Sequence, residues 1–295
     1  MKNILILGGT RFFGKRLVER LLEDGHEVTI ATRGNTPDPF GDRVERLVLD
    51  RENKESLAQA VADGRMWEVV YDNICYSPQA AQDACDVFQG KVKRYILTSS
   101  LSVYEPSSHR NQEKDVNPYI YPITMGGKDD FSYAEGKRLS EAVFFQKADF
   151  PVCAVRFPIV LGEDDYTERL EFHIRRVQSG TPIGIPNLSA KLSFIDSEEA
   201  ASFLNWLRTQ RVEGPINACS QGDVKLSEIV GWIEKETGRK AIIQRESAKE
   251  NASPFGVPES WTMDTSKAER LGYAFKPIRS WVPALIKQLS QQENV

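Results

Sequence analysis

Histidine and cysteine are scarce in this sequence. Its 295 residues include three histidines and four cysteines. The histidines, His26, His109 and His173, are far apart, and no Cys/His group has the spacing of zinc ligands. We therefore expect neither a metal site nor a serine-hydrolase triad. Because no CxxC pair occurs, we expect four reduced and mostly buried thiols. The cysteines are Cys75, Cys85, Cys153 and Cys219.

Long apolar runs and an excess of basic residues are also missing. The chain has 38 basic and 42 acidic residues, which gives a net charge of −4. This balance argues against a generic binder of nucleic acid or of membrane surfaces, so neither is a favoured partner. No stretch is long enough to span a bilayer, and the apolar run 4–7 is too short for a signal-peptide core. The expected location is the cytoplasm.

Strand and helix patterns alternate over the first half of the chain, which is 40% hydrophobic overall. Short apolar runs predict strands, and amphipathic stretches predict helices between them. This alternation predicts right-handed βαβ units and a parallel sheet. The predicted strands are 3–7, 28–31, 44–49, 68–74, 94–99 and 152–157. The predicted helices are one ending at Gly25, one capped by Asn53 and running to about 63, and those over 78–88 and 133–147. Residues 101–131 interrupt the pattern as a long loop.

The first turn, GGTRFFG at 8–14, lies between a predicted strand and a predicted helix. Backbone N–H groups at a helix N-terminus favour a pyrophosphate, and glycines let the backbone approach it. The place of this turn so near the start of the alternating pattern makes a dinucleotide site the preferred interpretation. Its predicted contact residues are Gly8, Thr10, Arg11, Phe12, Phe13 and Gly14.

The opening segment ILILGGTRFFGKRLVERLLEDGHEVTIATRG resembles that of the extended short-chain dehydrogenases/reductases, the NAD-dependent epimerase/dehydratase family. Those proteins usually read TGGxGFIG. Gly8 and Gly14 match the outer glycines, whereas Arg11 stands at the middle one. The GGTRF form resembles an atypical branch that includes chloroplast stem-loop-binding proteins. Arg11 puts a long side chain where the family has bare backbone.

The end of the second predicted strand bears on the choice of cofactor. An acidic residue there favours NAD, but the chain reads Ala31-Thr32-Arg33. The Arg33 guanidinium suits a 2′-phosphate, and Arg11 could assist it. NADP(H) is therefore the predicted cofactor, with NAD(H) as the alternative. The resemblance also implies that Asp50, with its neighbour Arg51, lies at the adenine.

TSSLSVY at 98–104 and YAEGK at 133–137 carry the predicted catalytic residues. Tyr133 and Lys137 are four residues apart, so they share one helix face, and the ammonium would help make the tyrosine a usable acid/base. The family reads SSxxVYG and then YxxxK, an order that implies Ser100, Tyr133 and Lys137 as the catalytic set. A serine hydroxyl there would hold the substrate oxygen.

The resemblance continues into the second half of the chain. AVRFPIVLGEDD at 154–165 resembles the strand and loop that pass the nicotinamide, which implies Pro158 and Val160 as neighbours of that ring. Ile159 stands where many sugar-nucleotide enzymes carry asparagine. In a later segment Asp196 and Glu199 replace a histidine and an aspartate.

The adjacent acidic pairs Asp164–Asp165 and Glu198–Glu199 are interpreted as solvated charges, because neighbouring side chains do not face one another on a helix. The predicted fold is α/β, a Rossmann-like doubly wound parallel sheet with a smaller C-terminal substrate lobe. Residues 1–160 form the dinucleotide-binding domain, to which about 192–215 return. Residues 161–191 and 216–295 form the lobe.

These features predict an NAD(P)-dependent oxidoreductase, epimerase or dehydratase that acts at a carbinol or carbonyl carbon, with Tyr133 as acid/base. Nucleotide sugars lead as substrates because they are the commonest in the family. One alternative is an NADPH-dependent reductase of a small carbonyl compound. Another is a non-catalytic nucleotide-sensing or RNA-binding protein, whose RNA binding would weaken steeply as salt rises. The family often dimerises through the helix that carries YxxxK, so a homodimer is an option, with Phe144 and Phe145 either on that face or in the core.

Overall fold

Strands and helices alternate through the described residues, 2–246 and 248–291, of this computed structural model. The strands are β1 Asn3–Leu7, β2 Glu27–Thr32, β3 Glu45–Val48, β4 Val69–Asp72, β5 Tyr95–Ser100, β6 Val152–Phe157, β7 Ile159–Leu161, β8 Ile183–Gly184, β9 Lys191–Leu192, β10 Phe194–Asp196, β11 Gly214–Asn217, β12 Val224–Lys225 and β13 Ile243–Gln244. The helices are α1 Phe12–Glu23, α2 Lys54–Ala60, α3 Pro78–Phe88, α4 Tyr133–Lys147, α5 Arg169–Ser179, α6 Ser197–Leu207, α7 Leu226–Thr237, α8 Ser266–Arg270 and α9 Ile278–Gln291.

Seven parallel strands form the central sheet in the order β11-β6-β5-β4-β1-β2-β3. The chain begins in the middle of the sheet, runs outward through β2 and β3, and crosses back to β4. The strand order therefore reverses between β1 and β4, which is where ligands bind in sheets of this kind. This confirms the predicted doubly wound α/β fold.

Local sequence signals explain why the elements begin and end where they do. Asn53 caps α2 as predicted, its side chain accepting from the Ser56 N–H at 2.8 Å, although that helix ends earlier than predicted, at Ala60. Ser77 caps α3, and Pro78 occupies its first turn. The predicted ranges 3–7, 78–88, 133–147 and 152–157 agree with the structure residue for residue.

Two apolar layers cover the two faces of the sheet. Leu17 and Val18 of α1 pack with Phe203 of α6 on one face. Leu57 of α2, Ala84 of α3 and Phe144 of α4 pack on the other. Helices on both faces leave the carboxyl ends of the strands as the open edge of the sheet.

The smaller lobe has a core of its own, built from α5, α7 and α9 around Phe194 and Phe255. The boundary predicted for it stays a prediction, but two segments assigned to the lobe pack elsewhere. Asn217 still pairs in the central sheet, and Ala268 and Phe275 belong to the core beneath α1 and α6. The core of the smaller lobe therefore does not include these two segments.

The interpretation of both acidic pairs as solvated charges is wrong for one member of each. Asp164 and Glu198 do form surface ion pairs with Arg16, at 2.8 and 2.7 Å. Asp165 and Glu199 are only 3% and 2% exposed. Each carboxylate accepts hydrogen bonds inside the protein, which compensates for its burial. Burial raises the pKa of Glu199. The donors are Thr167 and Arg169 for Asp165, and Ser220 and the Lys276 backbone for Glu199.

All four cysteines are free and buried, as predicted. Burial raises the pKa of the Cys75 thiol to about 11. His173 is buried between the Arg169 carbonyl and the Ser253 hydroxyl, and burial lowers its pKa to about 4. In the part of the chain that the structure describes, no cluster of His, Cys, Asp or Glu could hold a metal ion, and no helix combines the length and apolar content that a membrane crossing requires.

The C-terminal turn of α4 packs against the loop 101–131 of the same chain. Phe144 is buried in the core, and the Phe145 ring lies 5.1 Å from that of Tyr119. The Gln146 side chain donates to the carbonyls of Pro118 and Tyr121, at 2.8 and 2.9 Å. Both phenylalanines thus have packing partners within the chain.

Candidate functional site

A cleft of about 820 Å³ lies between the carboxyl ends of the sheet strands and the smaller lobe. Its size is in the usual range for small-molecule and cofactor sites. Every site residue predicted from the sequence lines it. These residues are Gly8, Thr10, Arg11, Phe12, Phe13, Gly14, Arg33, Asp50, Arg51, Ser100, Tyr133, Lys137, Pro158 and Val160.

The glycine turn is built for close approach of the backbone. Gly8 and Gly9 have φ angles of +100° and +96°, which side-chain-bearing residues rarely adopt. A Cβ at Gly14 would lie only 3.2 Å from the Gly9 Cα, so a side chain there would push α1 away from the turn. The three glycines leave a bare concave surface at the start of α1.

Arg11 does not disturb this surface. Its backbone is extended, with φ −134°, a conformation that needs no glycine. Its side chain is exposed and leaves the turn, donating to Thr36 Oγ1 at 3.1 Å. The guanidinium also lies 5.6 Å from the centre of the Tyr166 ring in the smaller lobe. The arginine therefore joins the turn to the opposite wall of the cleft.

The N-terminus of α1 offers unfilled hydrogen-bond donors. None of the described side chains caps this helix, and its first turn holds no acidic residue. Its first N–H groups thus lack partners, and the helix dipole favours an anion there. The Asn73 side-chain nitrogen is buried beside Gly14 with no partner among the described residues, while its oxygen accepts from Thr98 Oγ1 at 2.7 Å. The donors and the bare glycine surface fit a pyrophosphate.

At the far end of the cleft, three predicted residues have different surroundings. Arg33 is exposed. Asp50 is exposed too, and its carboxylate accepts from the Glu52 N–H at 3.1 Å. Arg51 is only 3% exposed, and its guanidinium donates to the Asp72 carboxylate at 2.7 Å and to the Ala80 carbonyl at 2.8 Å. Arg51 thus stabilises the wall of the cleft, and the Asp72 carboxylate neutralises its charge.

Lys137 and Tyr133 stand in contrasting environments on one face of α4. The ammonium of Lys137, a residue 1% exposed, donates to the carbonyls of Cys75 and Thr98, both at 2.8 Å. It lies 5.8 Å from the centre of the Tyr133 ring, and Tyr133 is 54% exposed. Ser100, at the end of β5, accepts from the Ser102 N–H at 3.1 Å. A fixed cation therefore lies next to an accessible phenol, with a serine hydroxyl in the same cleft.

Among the cleft residues that sequence reasoning missed, Asn73 and Tyr76 lie against the glycine turn and the pair Tyr133 and Lys137. The Tyr76 ring lies 4.5 Å from the Lys137 ammonium and 5.2 Å from that of Lys128, and its centre is 6.1 Å from that of Tyr133. Burial raises the pKa of Tyr76, so its hydroxyl stays protonated. Both residues follow β4, and the carboxyl end of a central parallel strand was the signal that could have found them.

Gly136, between Tyr133 and Lys137, should not tolerate alanine. A Cβ there would lie 2.3 Å from the Tyr76 carbonyl oxygen, so α4 would have to move and carry Lys137 with it. We expect the free energy of unfolding to fall by about 1–3 kcal/mol in urea denaturation, although alanine normally favours a helix.

Gly231→Ala in α7 is the matched control, because nothing lies within 4 Å of a Cβ at that position. It should raise the free energy of unfolding by about 0.5–1 kcal/mol. Equal effects of the two substitutions would contradict the close contact between α4 and Tyr76.

Comparison with known proteins gives three findings. Residues 8–161 match a protein family described as NAD(P)H-binding. The chain is 28% identical over 233 residues to the chloroplast stem-loop binding protein of 41 kDa b of Arabidopsis thaliana, which aligns 73% of this chain with 57% of that protein. It is 30% identical over 136 residues to a 3-beta-hydroxysteroid dehydrogenase of Mycolicibacterium neoaurum, which aligns 43% of this chain with 34% of that protein. The chain thus spans between about a third and somewhat over half of these relatives.

Among solved structures, the fold is similar to that of the Thermus thermophilus UDP-glucose 4-epimerase in complex with NAD. The TM-score is 0.75, at 17% identity, over 98% of this chain and 99% of the other. At this identity the likeness shows a shared fold.

Proposed function

This chain belongs to the NAD(P)H-binding family, and from that premise we propose that it is an NAD(P)-dependent enzyme acting at a carbinol or carbonyl carbon. The observation that carries the proposal is the position of Lys137. Its ammonium is buried, tied to two backbone carbonyls and next to the exposed Tyr133, in the same cleft as an uncapped helix N-terminus. A lysine that served only packing would have no reason to be desolvated there.

We propose that residues along the cleft bind a dinucleotide. We propose that the turn Gly8–Gly14 and the N-terminus of α1 bind the pyrophosphate. Arg33 binds a 2′-phosphate, with Arg11 beside it, so that NADP(H) is preferred over NAD(H). Asp50 would hold the adenine, and Pro158 and Val160 would contact the nicotinamide.

A bound nicotinamide supplies or accepts the hydride. Tyr133 gives its phenolic proton to the substrate oxygen during reduction and takes a proton from it during oxidation. The Lys137 ammonium stabilises the negative charge that develops on the phenol oxygen. Ser100 donates a hydrogen bond to the same substrate oxygen and shares its developing charge.

The proposal allows two kinds of net reaction. A nucleotide-sugar epimerase, such as the enzyme whose fold this chain shares, or a dehydratase re-uses one cofactor within each catalytic cycle. A carbonyl reductase exchanges its cofactor at each turnover. A preference for NADP(H) supports the reductase.

We expect Arg33→Asp to lower the ratio of NADPH to NADH affinity about tenfold or more, because a charge-assisted contact to the 2′-phosphate would become a repulsion. Titration of each nucleotide, followed by tryptophan fluorescence, measures both dissociation constants. Arg43→Asp is the control, because Arg43 is an exposed arginine outside the cleft. An unchanged ratio in Arg33→Asp would contradict the assignment.

A second candidate function is binding of structured RNA, supported by the 28% identity to a stem-loop binding protein. Such a role would use exposed cations, and the cleft does contain Arg11, Arg33 and Lys128. The net charge of −4 and the buried Lys137 favour the enzyme.

A further inference from the structure

The two walls of the cleft differ in charge. The wall formed by the carboxyl ends of the central sheet and the loop 101–131 presents three exposed cations, Arg11, Arg33 and Lys128, and two exposed carboxylates, Asp50 and Glu52. Among the described residues of the smaller-lobe wall, the charged side chains are Asp165 and Arg169. The exposed cations that could bind an anionic ligand therefore all lie on the wall to which the dinucleotide is assigned.

Asp165 and Arg169 neutralise each other. An Arg169 Nη atom lies 3.3 Å from the Asp165 carboxylate and donates to the Val160 carbonyl at 2.9 Å. Asp165 also accepts from the Thr167 hydroxyl at 2.5 Å. An anion that recruited Arg169 would have to break these contacts and would leave a buried carboxylate beside it.

Apart from the exposed hydroxyl-bearing side chains of Tyr166 and Thr167, the rest of that wall is apolar. Its apolar residues are Ile159, Leu192, Pro254, Phe255, Val257 and Trp261. Phe255 is buried and stacks on His173 with ring centres 4.5 Å apart, and Leu192 is buried in the core of the lobe. Such a surface gains free energy by covering apolar groups. For a sugar or a phosphate it has the hydroxyls of Tyr166 and Thr167, and that of Thr167 already donates to Asp165.

We propose that the substrate is an uncharged, mainly apolar ketone or secondary alcohol rather than a nucleotide sugar. This inference rests on the function proposed above. Among the described residues of the smaller-lobe wall, the diphosphate of a nucleotide sugar would meet no free cation, whereas an apolar ring would cover Trp261 and Val257. The polar end of the substrate, its single carbinol or carbonyl oxygen, is met by Ser100 and Tyr133.

The test compares two probes on the full chain saturated with NADP⁺, which has no hydride to give, so that a ketone cannot be reduced. Absence of NADPH absorbance during the titration shows that the hydroxyls of UDP-glucose are not oxidised. Calorimetry measures the dissociation constants of 2-decalone, a neutral bicyclic ketone, and of UDP-glucose. We expect 2-decalone to bind at least about tenfold more tightly. Trp261→Leu should raise the dissociation constant of 2-decalone about tenfold, because apolar contact is lost. Trp232→Leu should change that constant less than about twofold. Trp232 belongs to the core of the same lobe and does not line the cleft.

The possible results distinguish failure of the substrate class from failure of the proposed function. Tighter binding of UDP-glucose, no binding of 2-decalone, or equal effects of the two tryptophan substitutions would overturn the substrate class and leave the proposed function standing, since NADP⁺ binding is measured first. Absence of NADP⁺ and NAD⁺ binding would overturn the proposed function itself, and the substrate class with it.

Discussion

Tyr133→Phe is expected to lower kcat by about two to four orders of magnitude, the usual contribution of a positioned proton donor. The substitution removes only the phenolic hydroxyl, and the ring of Tyr133 is more than half exposed, so the fold should be unaffected. The dissociation constant for NADPH should stay within about twofold, because Lys137 keeps its contacts to the carbonyls of Cys75 and Thr98. Steady-state kinetics with the ketone substrate and a fluorescence titration with NADPH measure the two effects.

Tyr76→Phe is the matched control for that experiment. Its ring lies 4.5 Å from the same ammonium, but its phenol is largely buried and its pKa is raised by that burial. We expect kcat to fall no more than about threefold, because the ring contact with Lys137 is retained. Full activity of Tyr133→Phe, or an equal loss in both variants, would contradict Tyr133 as the proton donor.

Local sequence signals were sufficient for most of the fold. The central elements were predictable because buried parallel strands are short apolar runs and α3 and α4 begin at serine caps. The spacing of Tyr133 and Lys137 fixes their common helix face without any tertiary knowledge. The residues gathered in the cleft follow from the strand order, since each lies near the carboxyl end of a parallel strand or the start of the following helix.

Features that depend on distant partners could not be predicted. Arg51 lines the cleft as the resemblance implies, but no local signal indicates that its guanidinium pairs with Asp72, 21 residues away. Asp165 and Glu199 looked like members of solvated pairs, and only their tertiary donors explain their burial. The sequence shows which side chains are charged, but only the folded structure shows which partners neutralise them.

Arg11 shows how an unusual residue can fit a familiar turn. The positions that need glycine here are Gly8 and Gly9, with positive φ, and Gly14, with its close contact to Gly9. The backbone of Arg11 is extended, so its side chain adds a contact across the cleft to Tyr166 at no conformational cost to the turn. The resemblance in sequence identified the exchange but not where the side chain would lie.

The largest effect on stability is expected at Glu141, which lies one helical turn beyond Lys137 on α4. Its carboxylate accepts from Arg156 Nε at 3.0 Å and Nη2 at 2.5 Å, and from Ser99 Oγ at 2.5 Å, with both ionic side chains fully buried. Arg156 also donates to the Tyr104 hydroxyl at 2.7 Å and the Val116 carbonyl at 2.9 Å. One buried ion pair therefore ties α4 and β6 to the end of β5 and to the loop that follows it.

Glu141→Leu should lower the free energy of unfolding by about 3–5 kcal/mol in urea denaturation, because it leaves the Arg156 charge buried without its partner. It should also lower kcat, since Ser99 loses its acceptor and Ser100 follows directly. Arg156→Met alone should be destabilising for the converse reason. The free energy of unfolding of the double variant should fall by less than the sum of the two single losses, because the uncompensated charge is then gone. We expect a coupling energy on the order of 2–3 kcal/mol. Additive losses would mean that each side chain stabilises the fold through separate contacts. An unchanged kcat in Glu141→Leu would mean that the ion pair does not position Ser100.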